Sequence, residues 1–376
     1  MIVQHPMFWC AALFAAGIAI GLQFPLPYYW LPLLVISVIA CTLFRASRYW
    51  HDVLTIIVWL LLGCSRAAVC PVRDTAPSVS EGNKVQAVLV MRLKRASLSP
   101  GTLALCSALT VGQRADLKRE TRQAYNKIGA SHLLALSGMH LGIVYAFLYF
   151  VFIRGVRHTR WRWHALPFIL LCLWGYTLVA GMPVSLVRAA IMLSIFTVIS
   201  LMQYDTDPLH PLALSAIIIL LIAPADLLNI SFQLSFAAVF FLLALWAPLS
   251  ERFPKLPWVV RLLAVSCVAQ IGTMPLTLYY FHQLPLLAPL LSLLLIPLTT
   301  LLIYLTLVAM VLPLAPLGQI LNTSVTLQQR IIELAGSIPG GTLTDIYPSA
   351  AAVALMYGAM LLAIVRLRTR TKSVQI

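Results

Sequence analysis

Residues 286–314 read LLAPLLSLLLIPLTTLLIYLTLVAMVLPL, a stretch with no Asp, Glu, Lys, Arg or His. An α-helix needs about 20 apolar residues to cross the ~30 Å hydrocarbon core of a bilayer. Similar runs recur along the chain, of whose 376 residues 61% are hydrophobic and 10% are charged, with a mean hydropathy of +0.93. A soluble protein would carry about 25% charged residues. The composition therefore predicts an all-α, polytopic membrane helix bundle.

The apolar runs predict about ten or eleven spans and divide the chain into four parts. The first run lacks preceding Lys or Arg and a small-x-small cleavage site, which indicates a permanent span rather than a signal peptide. We expect no soluble domain at either end and find no internal repeat. The four parts are N-terminal transmembrane helices at 1–70, a basic segment at 71–130, a membrane core at 131–366 and a basic tail at 367–376. The expected spans are near 7–24, 28–44, 52–70, 132–152, 165–181, 184–203, 209–224, 229–248, 259–281, 286–314 and 347–365.

Clusters of Lys and Arg predict which loops face the cytoplasm, because cytoplasmic loops are rich in both. Counting crossings back from the first two clusters places the N-terminus inside and 71–130 outside. A cytoplasmic C-terminus then requires that 286–314 cross twice or that a hidden span follow it. The prolines of that run favour a broken or re-entrant element, and 316–338 is amphipathic. The clusters lie at 45–48, 154–162, 252–261 and 366–372.

The basic segment 71–130 carries an unusual charge for an external loop. Its stretch Val85–Met91 alternates and predicts a strand or two in a reduced OB-like region, while 102–111 and 114–128 predict short amphipathic helices. Ten Lys and Arg stand against four Asp and Glu, a net charge of +6. Long loops partly escape the positive-inside rule, so an ordinary solvated surface is the alternative. An external basic surface would attract a polyanion to a pore. Its candidate residues are Arg92, Lys94, Arg95, Arg114, Lys118, Arg119, Arg122 and Lys127.

The seven cysteines show no CxxC spacing and mostly lie inside apolar runs, which is typical of small core residues. Cys70 and Cys106 fall near the polar segment, and a disulfide between them would require an oxidising compartment. We expect no metal site and no cofactor.

The densest polar set inside an apolar run lies between His132 and His140. In a straight helix the two histidines would be about 12 Å apart, too far to share a metal, unless the helix breaks at Ser137 and Gly138. Ser137 and His140 are neighbours on one helical face, but a serine hydrolase would also need a G-x-S-x-G elbow and a carboxylate. Gly138 and Gly142 allow close helix packing. Packing and a pore-lining role are therefore the two interpretations.

Other polar side chains lie in or beside spans, where they are costly unless they are paired or wetted. Arg188 either snorkels to the nearer interface or faces a wet cavity as a fixed cation. Asp226 and Asn229 either cap a helix or add to a polar interior. No Asp or Glu lies at mid-span, which suits an anionic or neutral solute better than a cation. The candidate path-lining residues are His132, Ser137, Gly138, His140, Arg188, Gln233, Ser235, Gln270 and His282.

Six of these stretches resemble the ComEC family of competence proteins and occur in the family's order over roughly residues 103–313. The resemblance implies a polytopic channel that passes one strand of DNA across the cytoplasmic (inner) membrane of a bacterium during natural transformation. The stretches are LALCSALTVGQRADLKRETRQAYNKIGA at 103–130, SHLLALSGMHLGIV at 131–144, SLVRAAIM at 185–192, DPLHPLALSAI at 207–217, SFQLSFAAVF at 231–240 and MPLTLYYFHQLPLLAPLLSLLLIPL at 274–298.

The resemblance also implies partners. The chain has no G-x-x-x-x-G-K-[ST] phosphate loop, so energy for movement would come from a cytosolic helicase-like motor. The other expected partners are single-stranded DNA, the lipid bilayer, an external DNA-receptor protein and further copies of the chain.

Two departures from the family pattern narrow the expectation. The external segment, about 60 residues long, is too short for a complete five-stranded OB barrel with its following helices. Only a basic tail follows residue 365, and no H-x-H-x-D-H motif occurs, so we expect no nuclease and no other enzyme activity. Two alternatives stay open: a secondary transporter or channel for a small anionic or neutral solute, and an intramembrane hydrolase built on Ser137 and His140.

Overall fold

The structure is a computed structural model that describes residues 6–23, 27–43, 48–69, 84–134, 136–154, 160–202, 207–253 and 255–373. These residues are helical almost throughout, which confirms the predicted all-α fold. The chain forms two compact units, the first made of residues 1–78 and 202–236 and the second of residues 79–201 and 237–376.

Sixteen α-helices follow one another along the described part of the chain. The first unit contains the first three, the eleventh and the start of the twelfth, and the second unit contains the others. In chain order they are α1 Pro6–Gln23, α2 Pro27–Leu43, α3 Arg48–Val69, α4 Lys84–Lys94, α5 Pro100–Val111, α6 Arg119–Lys127, α7 Ser131–Leu134, α8 Gly138–Leu148, α9 Arg162–Val179, α10 Val184–Leu201, α11 Leu209–Ile222, α12 Ile230–Arg252, α13 Trp258–Phe281, α14 Ala288–Val311, α15 Ala315–Ser337 and α16 Ala350–Ser373.

In the first unit, α1 and α3 pack closely because glycines lie at their contact. A Cβ placed on Gly17 would overlap the carbonyl oxygen of Leu60, and one on Gly63 would overlap that of Phe14. Small residues bring helix backbones together in this way inside membranes, where burial of apolar surface cannot drive association.

The second unit has two main groups of packed helices. One group buries a core between α4, α5, α6, α14 and α15. The other buries a core between α8, α9 and α10. Residues 84–130, which the sequence places in a separate basic segment, thus contribute helices to the same core as the most apolar run of the chain.

Helices α14 and α15 run antiparallel along their whole length. Near their middle, Gln328 Nε2 donates to Thr299 Oγ1 at 2.9 Å. Eight residues away on each helix, Leu291 and Gly336 line one cavity. Moving eight residues back along α14 thus corresponds to moving eight residues forward along α15, so the two helix axes lie side by side and antiparallel.

This helix pair defines two ends of the second unit. Residues 312–314 join the helices at one end, which we call the turn end. At the other, β1 Leu284–Pro285 pairs antiparallel with β2 Thr342–Leu343; we call this the strand-pair end.

Four described helices are long and apolar enough to cross a membrane: Pro6–Gln23, Val184–Leu201, Trp258–Phe281 and Ala288–Val311. Several shorter apolar helices accompany them. The predicted membrane bundle is therefore supported, while the count of ten or eleven spans stays a prediction.

The predicted strand at Val85–Met91 is wrong, because these residues form most of α4. The alternation in the sequence hides a helical pattern, in which Gln86, Val90 and Leu93 recur at spacings of four and three. Val90 and Leu93 are buried, and Gln86 Nε2 donates to the carbonyl of Val111 at 3.0 Å. Packing against α5 thus decides the conformation over the local alternation.

The break expected within 286–314 is also absent, since α14 is one continuous helix. Pro289 lies in its first turn, where a proline removes no helical hydrogen bond. Pro297 lies inside the helix, which membrane helices tolerate. The amphipathic stretch at 316–338 is confirmed as the separate helix α15, and the basic helix expected at 114–128 begins only at Arg119.

Candidate functional site

The polar stretch between His132 and His140 is divided between two helices. Helix α7 ends at Leu134, and α8 begins at Gly138 with Ser137 as its N-cap. His132 has an exposed side chain whose Nδ1 lies 3.1 Å from the carbonyl oxygen of Gly129. No cluster of three metal-ligating side chains occurs among the described residues.

Ser137 and His140 form a local cap at the start of α8. The backbone N–H of Ser137 donates to His140 Nδ1 at 3.3 Å, and Ser137 Oγ lies 3.0 Å from the same nitrogen. Since Nδ1 accepts, the ring proton resides on Nε2, which is buried and makes no hydrogen bond within the described structure. His140 is 0% exposed. The distance matches a nucleophile–base pair, but the pair is withdrawn from solvent and serves the helix terminus.

The start of α10 packs against this break. A Cβ on Gly138 would lie 3.2 Å from Ala189 Cβ, whereas one on Gly142 would meet nothing within 4 Å. Ser185 Oγ donates to the carbonyl of Leu136 at 2.6 Å. Arg188, one turn after Ser185, is 2% exposed. The structure therefore brings Gly138 and His140 together with the first turns of α10, and Arg188 is buried rather than extended into solvent.

Gln233 and Ser235 belong to the first unit and bond to nearby backbone. Gln233 Nε2 donates to the carbonyl of Leu227 at 2.9 Å, and Ser235 Oγ donates to that of Phe232 at 3.0 Å. Asn229 Oδ1 accepts from the N–H of Ser231 at 3.0 Å, which confirms a capping role for it. These side chains satisfy turns and helix ends.

Gln270 and His282 contact the strand-pair end of the second unit. Gln270 Nε2 donates to the carbonyl of Pro285 at 2.7 Å. His282 ends α13 in the left-handed region, with φ of 55°, and its ring lies 4.4 Å from that of Tyr347. Tyr347 is 70% exposed. This end of the unit thus presents an aromatic pair to solvent.

All eight predicted DNA-attracting cations are exposed, and none of them makes an ion pair within the described part of the chain. They separate into two groups at opposite ends of the second unit. The Arg92 group consists of Arg92, Lys94 and Arg95. The Lys127 group consists of Arg114, Lys118, Arg119, Arg122 and Lys127.

Contacts to α15 locate the two groups. Next to the Arg92 group, the carbonyl of Ala96 lies against Gly318, and the N–H of Ser99 donates to Asn322 Oδ1 at 3.0 Å. At the other group, Thr342 Oγ1 donates to the carbonyl of Lys127 at 2.7 Å. Gly318 lies at the turn end, and Thr342 belongs to the strand pair. On α15 itself, a Cβ on Gly336 would lie 3.7 Å from Lys127 Cδ. The 18 helical residues from Gly318 to Gly336 therefore separate the two groups by about 27 Å along α15.

Within the Lys127 group, two guanidinium groups crowd together without a carboxylate between them. Arg122 Nη2 donates to the carbonyl of Arg114. Desolvation, and secondarily the positive charge of Arg122, lower the pKa of Arg114. Like charges held together in this way favour the approach of an anion.

The strand-pair end also contains a cavity of about 270 Å³ that the sequence analysis missed. Its polar lining includes Lys127, Gln283, Ser337, Thr342 and Thr344. The run of Gly, Ser and Thr residues after α15 is the feature of the sequence that could have indicated this cavity. It becomes recognisable as part of a cavity only because α6 and β2 bring Lys127 beside it.

Chain direction places the other basic clusters of the second unit at the turn end. Gly129, before α7, contacts Pro285 of β1, whereas the carbonyl of Ile143 in α8 accepts from Tyr304 in the turn-end half of α14 at 2.8 Å. Helix α8 and the following π-helix Tyr149–Ile153 therefore lead away from the strand pair to Arg154. Helix α13 ends beside β1 at His282, and α16 starts there, since the N–H of Ile346 donates to the carbonyl of His282 at 3.3 Å. Their basic ends at 255–261 and from Arg366 onward therefore lie away from the strand pair.

Comparisons with known proteins add the following. The model of a family described as "Competence protein" matches residues 109–370. "ComE operon protein 3" of Bacillus subtilis is 35% identical over 204 residues, which cover 54% of this chain and 25% of that protein. "Recombination protein 2" of Haemophilus influenzae is 27% identical over 227 residues, which cover 56% of this chain and 29% of that protein. The matches thus span less than a third of each relative. No solved structure matches the chain significantly.

Proposed function

The chain belongs to the competence protein family, and from this premise we propose that it is a conduit that passes one strand of DNA across the cytoplasmic membrane during natural transformation. The observation that carries the proposal is the Lys127 group, five exposed cations of which Lys127 lines a cavity at one end of a membrane helix bundle. Such a surface would collect DNA by releasing the counterions of its phosphates.

We further propose that the strand-pair end faces outward and the turn end faces the cytoplasm. This orientation puts Arg154, the basic start of α13 and the basic end of α16 on the side that the positive-inside rule favours. It also assigns the Arg92 group to the cytoplasmic side. The Lys127 group alone would then receive incoming DNA, and the C-terminus would be cytoplasmic.

The proposed partners follow from the same chemistry. A DNA-receptor protein would deliver DNA to the strand-pair end. A cytosolic helicase-like motor would draw the strand in, because the chain has no phosphate loop of its own. Further copies of the same chain are also proposed as partners, in a homo-oligomer.

Deletion of the gene in a naturally competent bacterium tests the conduit directly. Labelled DNA should still bind the cell surface and should remain accessible to added nuclease. Nuclease-protected DNA in the cytoplasm and stable transformants should both be lost. Unchanged transformation frequency would exclude the proposal, and a defect in the accumulation of a small solute alone would favour a metabolite transporter.

Neutralising the two basic groups tests the orientation. Replacing Arg114, Lys118, Arg119 and Arg122 with Gln should weaken DNA uptake. It should also make the slope of log DNA capture against log salt concentration shallower by about 0.7 for each lost phosphate contact. Replacing Arg92, Lys94 and Arg95 with Gln is the matched control, and it should leave the salt dependence of capture unchanged. A larger effect from the control would reverse the orientation.

A further inference from the structure

Helix α15 carries two stripes that run its full length. Its buried residues recur at alternating spacings of three and four, which keeps them on one face. Exposed polar residues also recur at alternating spacings of four and three, one or two positions after each buried residue. The buried stripe is Gly318, Leu321, Val325, Gln328, Ile332 and Ala335. The polar stripe is Gln319, Thr323, Thr326, Arg330, Glu333 and Ser337.

The polar stripe lies along a helix that follows a membrane span. Helix α14 is one of the four long apolar helices, and α15 accompanies it antiparallel from the Gly336 end to the turn. With 23 residues, α15 is about 34 Å long, enough to cross the hydrocarbon core. The polar residues of α15 make it less hydrophobic than the four long apolar helices, yet its axis runs beside that of α14. A membrane-spanning α15 would supply the hidden span that a cytoplasmic C-terminus requires.

A stripe of this kind cannot face lipid. Charged and polar groups at membrane depth face the bundle interior, a partner or water. Arg330 lies about 17 Å along the helix from Gln319, well inside the hydrocarbon thickness. In the part of the chain that the structure describes, the six side chains of the stripe stay exposed or nearly so. Thr323 and Thr326 donate their hydroxyl protons to carbonyls of α15 itself, at 3.0 and 2.8 Å. The amide of Gln319 and the charges of Arg330 and Glu333 are therefore the groups that require water or a bound molecule over the stripe.

The stripe connects the two ends of the second unit. Its last residue, Ser337, lines the cavity of about 270 Å³ beside Lys127. Tyr347, exposed and with its ring tilted against that of His282, belongs to the same end. Cations and an aromatic ring are the groups that hold phosphates and bases of single strands. The first residue, Gln319, lies beside Gly318 at the Arg92 group. A continuous polar track thus joins the two basic groups.

We propose that the polar stripe of α15 is the wall along which a single DNA strand moves in water, with the Lys127 cavity as its entrance. This assignment rests on the proposed conduit. Hydroxyl and amide groups replace water around the strand, and Arg330 is the single cation of the stripe. Glu333, one turn away, offsets that charge, so the strand is held weakly enough to move on.

Water access to the stripe is the first test. In a chain whose own cysteines are replaced by alanine and which still inserts normally, Thr323→Cys and Thr326→Cys are compared with Ile320→Cys and Leu327→Cys. All four positions are exposed on the same helix. A charged, membrane-impermeant thiol reagent should modify the stripe positions about tenfold faster or more, because a hydrated thiol ionises. Equal rates at all four positions would overturn the proposal. This measurement needs no DNA and is independent of the proposed conduit.

Strand contact is the second test. A bulky thiol adduct on Thr326→Cys should lower transformation about tenfold or more, since it narrows the track, while the same adduct on Leu327→Cys should leave it within about twofold. If unmodified variants transform and the Thr326→Cys adduct transforms equally well, the wall assignment fails while the conduit stands. If the chain has no role in transformation, the conduit fails first. A disulfide between two copies at Thr326→Cys would instead put a second copy over the stripe and refute the proposal.

Discussion

The helix break at Ser137 and the polar stripe of α15 both place polar side chains among membrane helices, but they use them differently. At the break, His140 is fully buried and its Nδ1 is occupied by the N-cap of α8. Along α15, six polar residues point away from the core with no element of the described structure over them. The comparison teaches that a polar residue in a span marks a path only when its side chain is exposed rather than buried by packing.

The largest expected effect concerns the stripe. Replacing Thr323, Thr326 and Arg330 with Leu should reduce transformation about a hundredfold, because a dry wall removes the water that solvates the strand and each 1.4 kcal/mol of added barrier costs tenfold. The amount of protein in the membrane should stay normal or rise. The matched control replaces Ile320, Leu327 and Leu334 with Ala on the neighbouring exposed face. Equal losses in both variants would remove the distinction between the stripe and ordinary helix surface.

The second effect concerns packing at the break. Gly138→Leu should destabilise the protein by about 1–3 kcal/mol, because its Cβ already reaches Ala189 and overpacking forces the helices apart. Gly142→Leu, four residues along, enters open space and should change stability far less. Thermal unfolding in detergent measures both. If Gly142→Leu proves as harmful, the contact at Gly138 is not what the break requires.

A smaller effect is expected at the cap itself. Ser137→Ala should cost about 1 kcal/mol, the usual loss for an N-cap, and transformation should stay within about twofold of the unmodified chain. The reason is that Ser137 is the N-cap of α8 and takes no part in a chemical reaction. Complete loss of function with normal unfolding behaviour would restore the hydrolase interpretation of Ser137 and His140.

The smallest effect is expected when both partners of the buried Gln328–Thr299 hydrogen bond are replaced together. Thr299→Val alone leaves Gln328 without its hydrogen bond and should cost about 1–3 kcal/mol. The double variant with Gln328→Leu removes both partners and should be close to neutral. A double-mutant cycle by unfolding in detergent separates the two. A costly double variant would mean that Gln328 serves something other than the α14–α15 contact.

The sequence predicted the fold class because hydrophobic runs report directly on the membrane environment, while the individual spans stay a prediction beyond the four long apolar helices. It also named Ser137 and Gly138 as the place where a break would change the distance between His132 and His140, and α8 does begin at Gly138, after α7 has ended at Leu134. It misjudged Pro297, since a single proline need not end a helix that neighbouring helices support. Val85–Met91 misled because a short alternating run fits a strand and a packed helix equally well.

The basic residues show why part of the site was beyond the sequence. Arg92 and Arg114 are close in the chain and carry the same charge, so they were grouped as one surface. Only the antiparallel course of α4 and α5 sends them to opposite ends. The stripe of α15 was seen as amphipathic but lacked a partner, because the contact of Gln328 with Thr299 joins residues 29 apart. Long-range pairing of this kind leaves no local signal.

The strand pair has a mechanical consequence. Its two strands lie just before α14 and just after α15, so the ladder closes that helix hairpin into a loop. The N–H of Leu286 adds a further hydrogen bond, to the carbonyl of Gly341 at 2.9 Å. These hydrogen bonds hold α15 against α14 at the strand-pair end, and the turn at 312–314 holds the other end. Because both ends of α15 are held, the strand pair and the turn together resist separation of α15 from α14 along its whole length.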